Sequence, residues 1–408
     1  MAKRITGSNK SKTSISSSPA GIFSARVKAI ILDDTTYPDK FQELGDWSSI
    51  GTIFWDLPTA PNIGDANPTQ NATAKPLFPN EKKYPLINEI VYLITMPDSN
   101  NQTSPNKKTF YYFHPVNIWT SNHHNAIPNP YQNTLPPSQQ QDYQSTEGGN
   151  VRRVTDGGTE INLGQTFVEK LNIKTLLPYE GDIIHEGRWG QSLRYGSTVN
   201  DASISNPWSS AGKNGSPIII LKNGQHDDGT DPWVPQVEDI NQDKSSIYLT
   251  STQQIPIEAS SKIYSSYFNA PTPLNQFDGE QIILNSGRIV FNSKTDSILL
   301  SSFDTINLNS LNSVNIDSPK TIVASPEIYL GDKNATEPVI LGDTFLDDLN
   351  KLLVSLVSLS NALTTPIASP GPGPLNGAIT APATDTVIKA QNMLNRIEVY
   401  KSKVSKSK

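Results

Sequence analysis

From residue 22 to about 245, apolar or β-branched runs alternate with stretches dense in Pro, Asn, Gly and Asp. The runs are Ala25–Leu32, Ile50–Leu57, Ile87–Met96, Phe110–Trp119 and Ile218–Leu221. Short runs bounded by turn formers predict strands, and several short strands with wide loops predict a small barrel or sandwich. The segment from Asn122 to Asn150 carries Pro128, Pro130, Pro136 and Pro137 and glutamine at 139–141. It is too long and polar for compact structure of its own and is expected to be a surface excursion or partner contact.

From residue 281 the pattern becomes a repeat: polar, apolar, any, apolar, then a polar corner rich in serine. The first apolar positions are Ile282, Ile289, Ile298, Ile306, Val314, Ile322 and Ile328, at steps of 7, 9, 8, 8, 8 and 6. The second set is Leu284, Phe291, Leu300, Leu308, Ile316, Ala324 and Leu330. Two residues at spacing two share one face of a strand, and the corner that follows bends the chain.

The size of this repeat bears on its architecture. A β-helix of one chain needs three strands per coil, so these segments would build little more than two coils with open ends. Three identical chains wound round one axis would close a prism without lateral edges, climbing roughly 34 Å at the usual strand spacing. A homotrimer with no stable monomer is therefore expected.

Past the repeat, Gly342-Asp343 offers a helix N-cap. Phe345, Leu349, Leu352, Leu356, Leu359 and Leu363 follow at steps of 4, 3, 4, 3 and 4, the seam of a coiled coil. A second stripe, Leu346, Leu353 and Val357, widens the apolar face and leaves a buried globular helix as the alternative. After the Pro/Gly-rich linker Thr364–Pro382, Val387, Ala390, Leu394 and Ile397 repeat at helical spacing. This second helix could cover that stripe or extend onward. The tail holds Lys401, Lys403, Lys406 and Lys408; a solvated end is the plain expectation, and contact with an acidic partner or anionic lipid the other.

Composition narrows the chemistry. The chain of 408 residues has 35% hydrophobic residues, 31 prolines, no cysteine and a net charge of -6. Absence of cysteine removes disulfides, thiolate metal sites and thiol nucleophiles, and the acidic balance argues against nucleic acid as a main ligand. The N-terminal stretch to Ser18 lacks the apolar core of a secretory signal and is expected to be an arm. Asp347, Asp348 and Lys351 argue against a membrane span at 345–363. No HExxH or HxxxH pattern exists among His114, His123, His124, His185 and His226, and His123-His124 is a weak metal candidate. Asp239, Asn241 and Asp243 begin like a calcium loop, but Lys244 and Thr250 stand where Gly and Glu are needed. Gly187-Arg188-Trp189-Gly190 reads as a turn beside a strand. Glu180, Asp182 and Glu186 form no specific carboxylate pair. No catalytic residue, cofactor or metal is expected.

Three blocks carry a resemblance. The first is GDIIHEGRWGQSLRYGST from Gly181 to Thr198, containing Gly187, Arg188, Trp189, Gly190 and Arg194. The second is VEDINQDKSSIYLTSTQ from Val237 to Gln253, containing Asp239, Asn241 and Asp243. The third is EPVILGD from Glu337 to Asp343, with the leucine helix, linker and basic end behind it. Together they resemble the central baseplate spike proteins of myovirus-type, contractile-tailed phages, including those of cyanobacteria. The resemblance implies an OB-fold barrel, a homotrimer, a triple-stranded β-helix and a place at the hub of the virion's tail baseplate. Some family members carry a lysozyme domain between barrel and β-helix; the span from Thr198 to Gln281 is too short for such a domain of ~160 residues, so peptidoglycan cleavage is not implied.

The expected fold is thus mainly β. An arm (1–20) precedes an OB-fold-like barrel with insertions (21–222), a connector (223–281), a triple-stranded β-helix (282–342), a coiled-coil helix (343–363), a linker (364–382) and a second helix with a basic tail (383–408). The expected role is mechanical: a spike that adapts the hub or tail tube, meets a tip protein at one end and is driven against the host envelope. A trimeric receptor-binding fibre and a β-helical polysaccharide depolymerase are the rival expectations.

Overall fold

The structure is a computed structural model that describes residues 21–58, 72–87, 89–97, 108–116, 143–146, 149–152, 173–199, 208, 212–227, 229, 234–340, 342–364, 377–396 and 399–407. The arm at 1–20, the tandem His123-His124, the proline-rich part of the 122–150 segment, most of the linker and Ile397 lie outside them. The protein is mainly β and divides into two compact units, residues 1–257 with 275–291, and residues 258–274 with 292–408. Among the described residues no helix is long and apolar enough to cross a membrane.

In the first unit, β1 (Phe23–Ile30), β2 (Ile53–Asp56), β3 (Ala72–Pro76), β4 (Ile90–Pro97) and β5 (Lys108–Pro115) form a closed barrel in the order β1-β2-β3-β5-β4. The β3–β5 pairing is parallel and β4 returns antiparallel to β1. Ala25, Val27, Ile53, Trp55, Ala74, Val91, Leu93 and Tyr112 fill the interior, with Phe23 and Phe110 packed against Trp55 at one end. Strict alternation would send residue 29 inward after Val27; Ile30 points in instead. A register irregularity between Val27 and Ala29 supplies the extra residue, as a β-bulge does. Ala29 and Ile31 are thereby freed to pack outside with Phe54 and Phe41. Phe41 belongs to α1 (Pro38–Glu43), which has proline in its first turn and Asp39 beside it, a start signal that the strand pattern concealed.

Four of the five apolar runs hold barrel strands, and the fifth, Ile218–Leu221, does not. The barrel is already closed by residue 115 rather than extending over 21–222. A hairpin of β6 (Tyr143–Thr146) and β7 (Gly149–Arg152) occupies the end of the segment expected to be irregular. Next, β8 (Ile183–Glu186), β9 (Gln191–Ser197), β10 (Pro217–Asn223), β11 (Ser245–Thr250) and β12 (Gln281–Ser286) form a separate antiparallel sheet in the order β12-β11-β10-β9-β8. The expected connector at 223–281 therefore begins inside one sheet strand and contains another. Its inner face packs on Tyr179, Trp208, Ile240 and Ile255.

The second unit contains β13 (Ile328–Leu330), β14 (Glu337–Ile340), α2 (Gly342–Thr364), α3 (Gly377–Asn395) and β15 (Lys401–Ser407). The basic tail is not a loose end: β15 lies between β13, in parallel, and β14, antiparallel. Strand pairing uses the backbone, which a lysine-rich sequence supplies as well as any other. The linker is shorter than expected, because α3 begins at Gly377 and takes Pro382 into the helix. The two helices fold back on each other, since Ser355 meets Asp385 and Thr386 while Asp348 meets Arg396 and Tyr400. Their contact is polar at these points. Val387 and Leu394, one of the two covers the sequence allows for α2, are exposed.

Asp348 is buried and accepts a hydrogen bond from the Tyr400 hydroxyl, beside Arg396 at 2.5 Å and Lys351 at 3.5 Å. The tyrosine bond, then the two cations, hold the carboxyl below the usual aspartate range. A carboxylate with a depressed folded-state pKa stabilises the fold above its unfolded value of about 3.9, and that contribution disappears as pH falls through the lower folded value. Asp348→Asn should therefore unfold earlier than the parent at neutral pH, with the gap closing below about pH 4, as read by denaturation at a series of pH values.

Gly51, between the 3-10 turn Asp46–Ser49 and β2, has φ of 85°. An added Cβ there would stand 2.9 Å from Pro76 Cγ and 3.0 Å from Tyr84 Cε1, while Tyr112 donates its hydroxyl proton to the Gly51 carbonyl at 2.7 Å. Gly51→Ala should lower stability by about 1–3 kcal/mol, measurable as a shifted urea midpoint.

Candidate assembly surfaces

The repeat is almost entirely open in the single chain. Its first pair, Ile282 and Leu284, projects from β12, and its last, Ile328 and Leu330, falls in β13. Between these ends no strand forms, and residues 288–326 make no backbone-to-backbone hydrogen bond with any described residue. The paired positions from Ile282 to Ile322, among them Ile289, Phe291, Ile298, Leu300, Ile306, Leu308, Val314 and Ile316, are 41% to 72% exposed. Corner hydroxyls turn the chain locally: Ser293 Oγ accepts from Asp296 N, Ser310 Oγ accepts from Asn312 N, and Ser318 Oγ donates to Lys320 O. Such bonds bend a backbone without a neighbouring strand. The corners are thus built by the chain itself, whereas the strand edges and the apolar faces are not.

The helical seam is likewise only partly covered. Phe345, Leu349, Leu352 and Leu359 are half-buried, while Leu356 and Leu363 are exposed. Leu346, Leu353 and Val357, the second stripe, are exposed as well. Ser355 and Thr386 form the buried centre of the hairpin, so much of the leucine-rich surface points away from the intrachain contact.

The two motif blocks meet in the five-stranded sheet. Gly187-Arg188-Trp189-Gly190 is the loop joining β8 to β9. Gly190 has φ of 86°, and a Cβ there would lie 3.2 Å from Gln225 N; Gln225 bonds the Lys174 backbone at both ends of its amide. Arg188 reaches Glu89, ahead of β4, at 2.6 Å. Trp189 is exposed. Arg194 is fully buried: it donates to Asp182, to Glu238 Oε1 at 2.8 Å and to the Leu177 carbonyl at 3.1 Å. Its guanidinium also lies 5.7 Å from the Tyr179 ring and 5.5 Å from the Trp208 ring. Burial alone would disfavour its charge, but the Glu238 hydrogen bond and the charges of Glu238 and Asp182 outweigh it and raise the pKa.

Asp239, Asn241 and Asp243 form a turn directed at protein groups rather than at a cation. Asp239 Oδ1 accepts from Asn241 N at 2.9 Å, Asn241 donates to the Pro256 carbonyl at 2.7 Å, and Asp243 accepts from Asp239 N at 3.0 Å. Asp243 also faces His226 Nδ1 at 3.1 Å and the Lys222 ammonium at 3.8 Å. Burial pushes the Lys222 pKa down and the Glu186 pKa up. Beside this network a cleft of about 420 Å³ is lined by Trp208, His226, Asp239, Asn241 and Tyr248 among others. Among the described residues no hydroxyl bonds the His226 ring, and no group of three His, Asp or Glu forms a metal-binding cluster. The arrangement orients and neutralises buried charges. Sequence reading picked out Arg194 but not its partners Asp182 and Glu238 as such; their only signal was membership of the same two blocks.

No family model, no curated protein and no solved structure matches this chain. Removal of Arg194 by alanine should leave Glu238 and Asp182 buried without their cation, costing roughly 3–5 kcal/mol. Urea unfolding of Arg194→Ala beside the parent would measure the loss.

Proposed function

We propose that the chain is one subunit of a homotrimeric central spike at the hub of a contractile phage-type tail, with no catalytic role. The observation that carries this reading is the repeat at 288–326, with paired exposed apolar positions and no backbone partners among the described residues of its own chain. A peptide group left without a partner in a dry interface costs about 1–3 kcal/mol, so a buried form of this segment requires strands from elsewhere. Two more copies supply identical strands in identical register and close the prism, giving the triple-stranded β-helix.

Other features support the reading. A five-stranded closed barrel in the order β1-β2-β3-β5-β4 agrees with an OB fold, the module that the resemblance implies for the ring beneath the tail tube. The exposed leucines of α2 suit a helical bundle continuing the same axis. The mechanism is transmission of force. A prism of hydrogen-bonded strands with no free lateral edge resists bending and unravelling, so thrust from the sheath reaches the host envelope through it. Hub and tail-tube proteins are the partners at the barrel end, and a tip protein is the partner at the other.

The decisive experiment is mass in solution. Light scattering on the purified protein should give three times the chain mass of 44.6 kDa. Ile306→Asp with Leu308→Asp should abolish that species, because several carboxylates would then crowd one apolar interior. A double variant that remains trimeric would reject the proposed register.

A further inference from the structure

The five-stranded sheet buries its charges beside Ile218, Ile220 and Tyr248 on one face and carries a second set of apolar side chains on the other. Arg194 and Lys222 project from β9 and β10 into the buried face. On the opposite face the register aligns a row across all the strands: Ile183, Tyr195, Ile219, Leu249 and Ile282. A second row runs beside it: His185, Leu193, Leu221, Ile247 and Leu284. Neither row contains Asp, Glu, Lys or Arg. An antiparallel sheet with one wet face normally alternates apolar and polar side chains; here nine of the ten positions in these two outward rows are apolar or aromatic, His185 being the exception, and the polar row Gln191, Asn223, Ser245 and Ser286 borders them. Leu249 is 39% exposed and Ile183 59% exposed, and a contiguous surface of this kind marks an interaction site.

The strand at the sheet's edge indicates what the face meets. Ile282 and Leu284 belong to both rows and are also the first pair of the repeat. The chain then continues along the same face, where Ile289 and Val290 join Leu221, Ile247 and Leu284 around a depression of about 360 Å³ with Arg288 at its lining. Whatever the repeat turns its first pair toward, the sheet must also face.

We infer that the outer face of this sheet is a self-association surface, on which three copies pack their sheets around the axis of the repeat. The inference rests on the trimeric reading above and extends it to a part of the chain that carries no repeat. Near a threefold axis each side chain meets two copies of itself, an arrangement that suits apolar groups and opposes charge. The absence of Asp, Glu, Lys and Arg from both rows fits that requirement, and Glu186, Arg194 and Lys222 of the strands lie on the other side.

Because the chain has no cysteine, single cysteines report on this face cleanly. Leu249→Cys sits mid-row, and its side chain is exposed in the single chain, so the substitution leaves the sheet's own core intact. Gln42→Cys, exposed on α1, is the control. Each purified variant would be treated with a short bis-maleimide and resolved on a denaturing gel, with its mass measured in parallel. The expected result is covalently joined chains from Leu249→Cys at least tenfold above Gln42→Cys. A trimer in which Leu249→Cys joins no more chains than the control would overturn the inference and leave the spike reading standing. Joined chains from a species that is not a trimer would support the face as self-associating and reject the spike reading. A monomer without joined chains would reject both.

Discussion

An extended backbone carries one donor and one acceptor at nearly every residue, and they must be satisfied wherever water is excluded. Among the described residues, the regular elements meet that demand internally. The barrel closes on itself, the five-stranded sheet pairs its neighbours, and β15 fills the space between β13 and β14. Residues 288–326 do not. They hold the strand pattern, the apolar faces and the self-made corners of a β structure while lacking its ladder. The proposed three-chain winding would answer this deficit, and the stabilisation of the segment would then be collective: each chain would contribute only about two apolar residues per turn and depend on its neighbours for the remainder.

Charge is distributed with the same economy. The motif blocks at Gly181–Thr198 and Val237–Gln253 invite a search for a binding or catalytic centre, yet their buried charged side chains face other protein charges. Arg194 ties Asp182 to Glu238, and Asp243 gathers His226, Lys222 and the turn beginning at Asp239. Buried ionic groups contribute little net stability when hydrophobic replacements would fit, but they penalise every misaligned arrangement. In this sheet they fix how the loop at Gly187 and the turn at Asp239 meet, leaving the two outward rows without Asp, Glu, Lys or Arg.

Much of the architecture could be read from periodicity, and the failures have identifiable causes. The apolar runs disclosed four barrel strands because each run is rich in apolar, β-branched or aromatic residues and bounded by turn formers. β3, reading ATAKP, has little hydrophobic signal and is specified by its place between β2 and β5. β8 and β11 escaped recognition as sheet strands because Glu186, Ser246 and Thr250 share the inward face while Ile183, Ile247 and Leu249 point outward, against the ordinary code. β15 was unreadable for a different reason: Lys-Ser-Lys-Val-Ser-Lys-Ser contains almost no burial information, and its pairing is made by backbone alone. The helices were legible, but the folding back of α3 was not, since its contact uses Ser355, Asp385 and Thr386 rather than the leucines that a seam search finds. Of the candidate surfaces, the repeat was visible from its spacing; the sheet's outer rows required the strand register.

That polar meeting of α2 and α3 has a mechanical corollary. Hydrogen bonds between short side chains hold a fixed alignment over a very small displacement, whereas interdigitated leucines yield gradually as they slide. Under a pull along the helices, the hairpin should therefore behave like a brittle latch, rigid up to a threshold and then released in a single step, and able to re-engage at the same register once the load is removed.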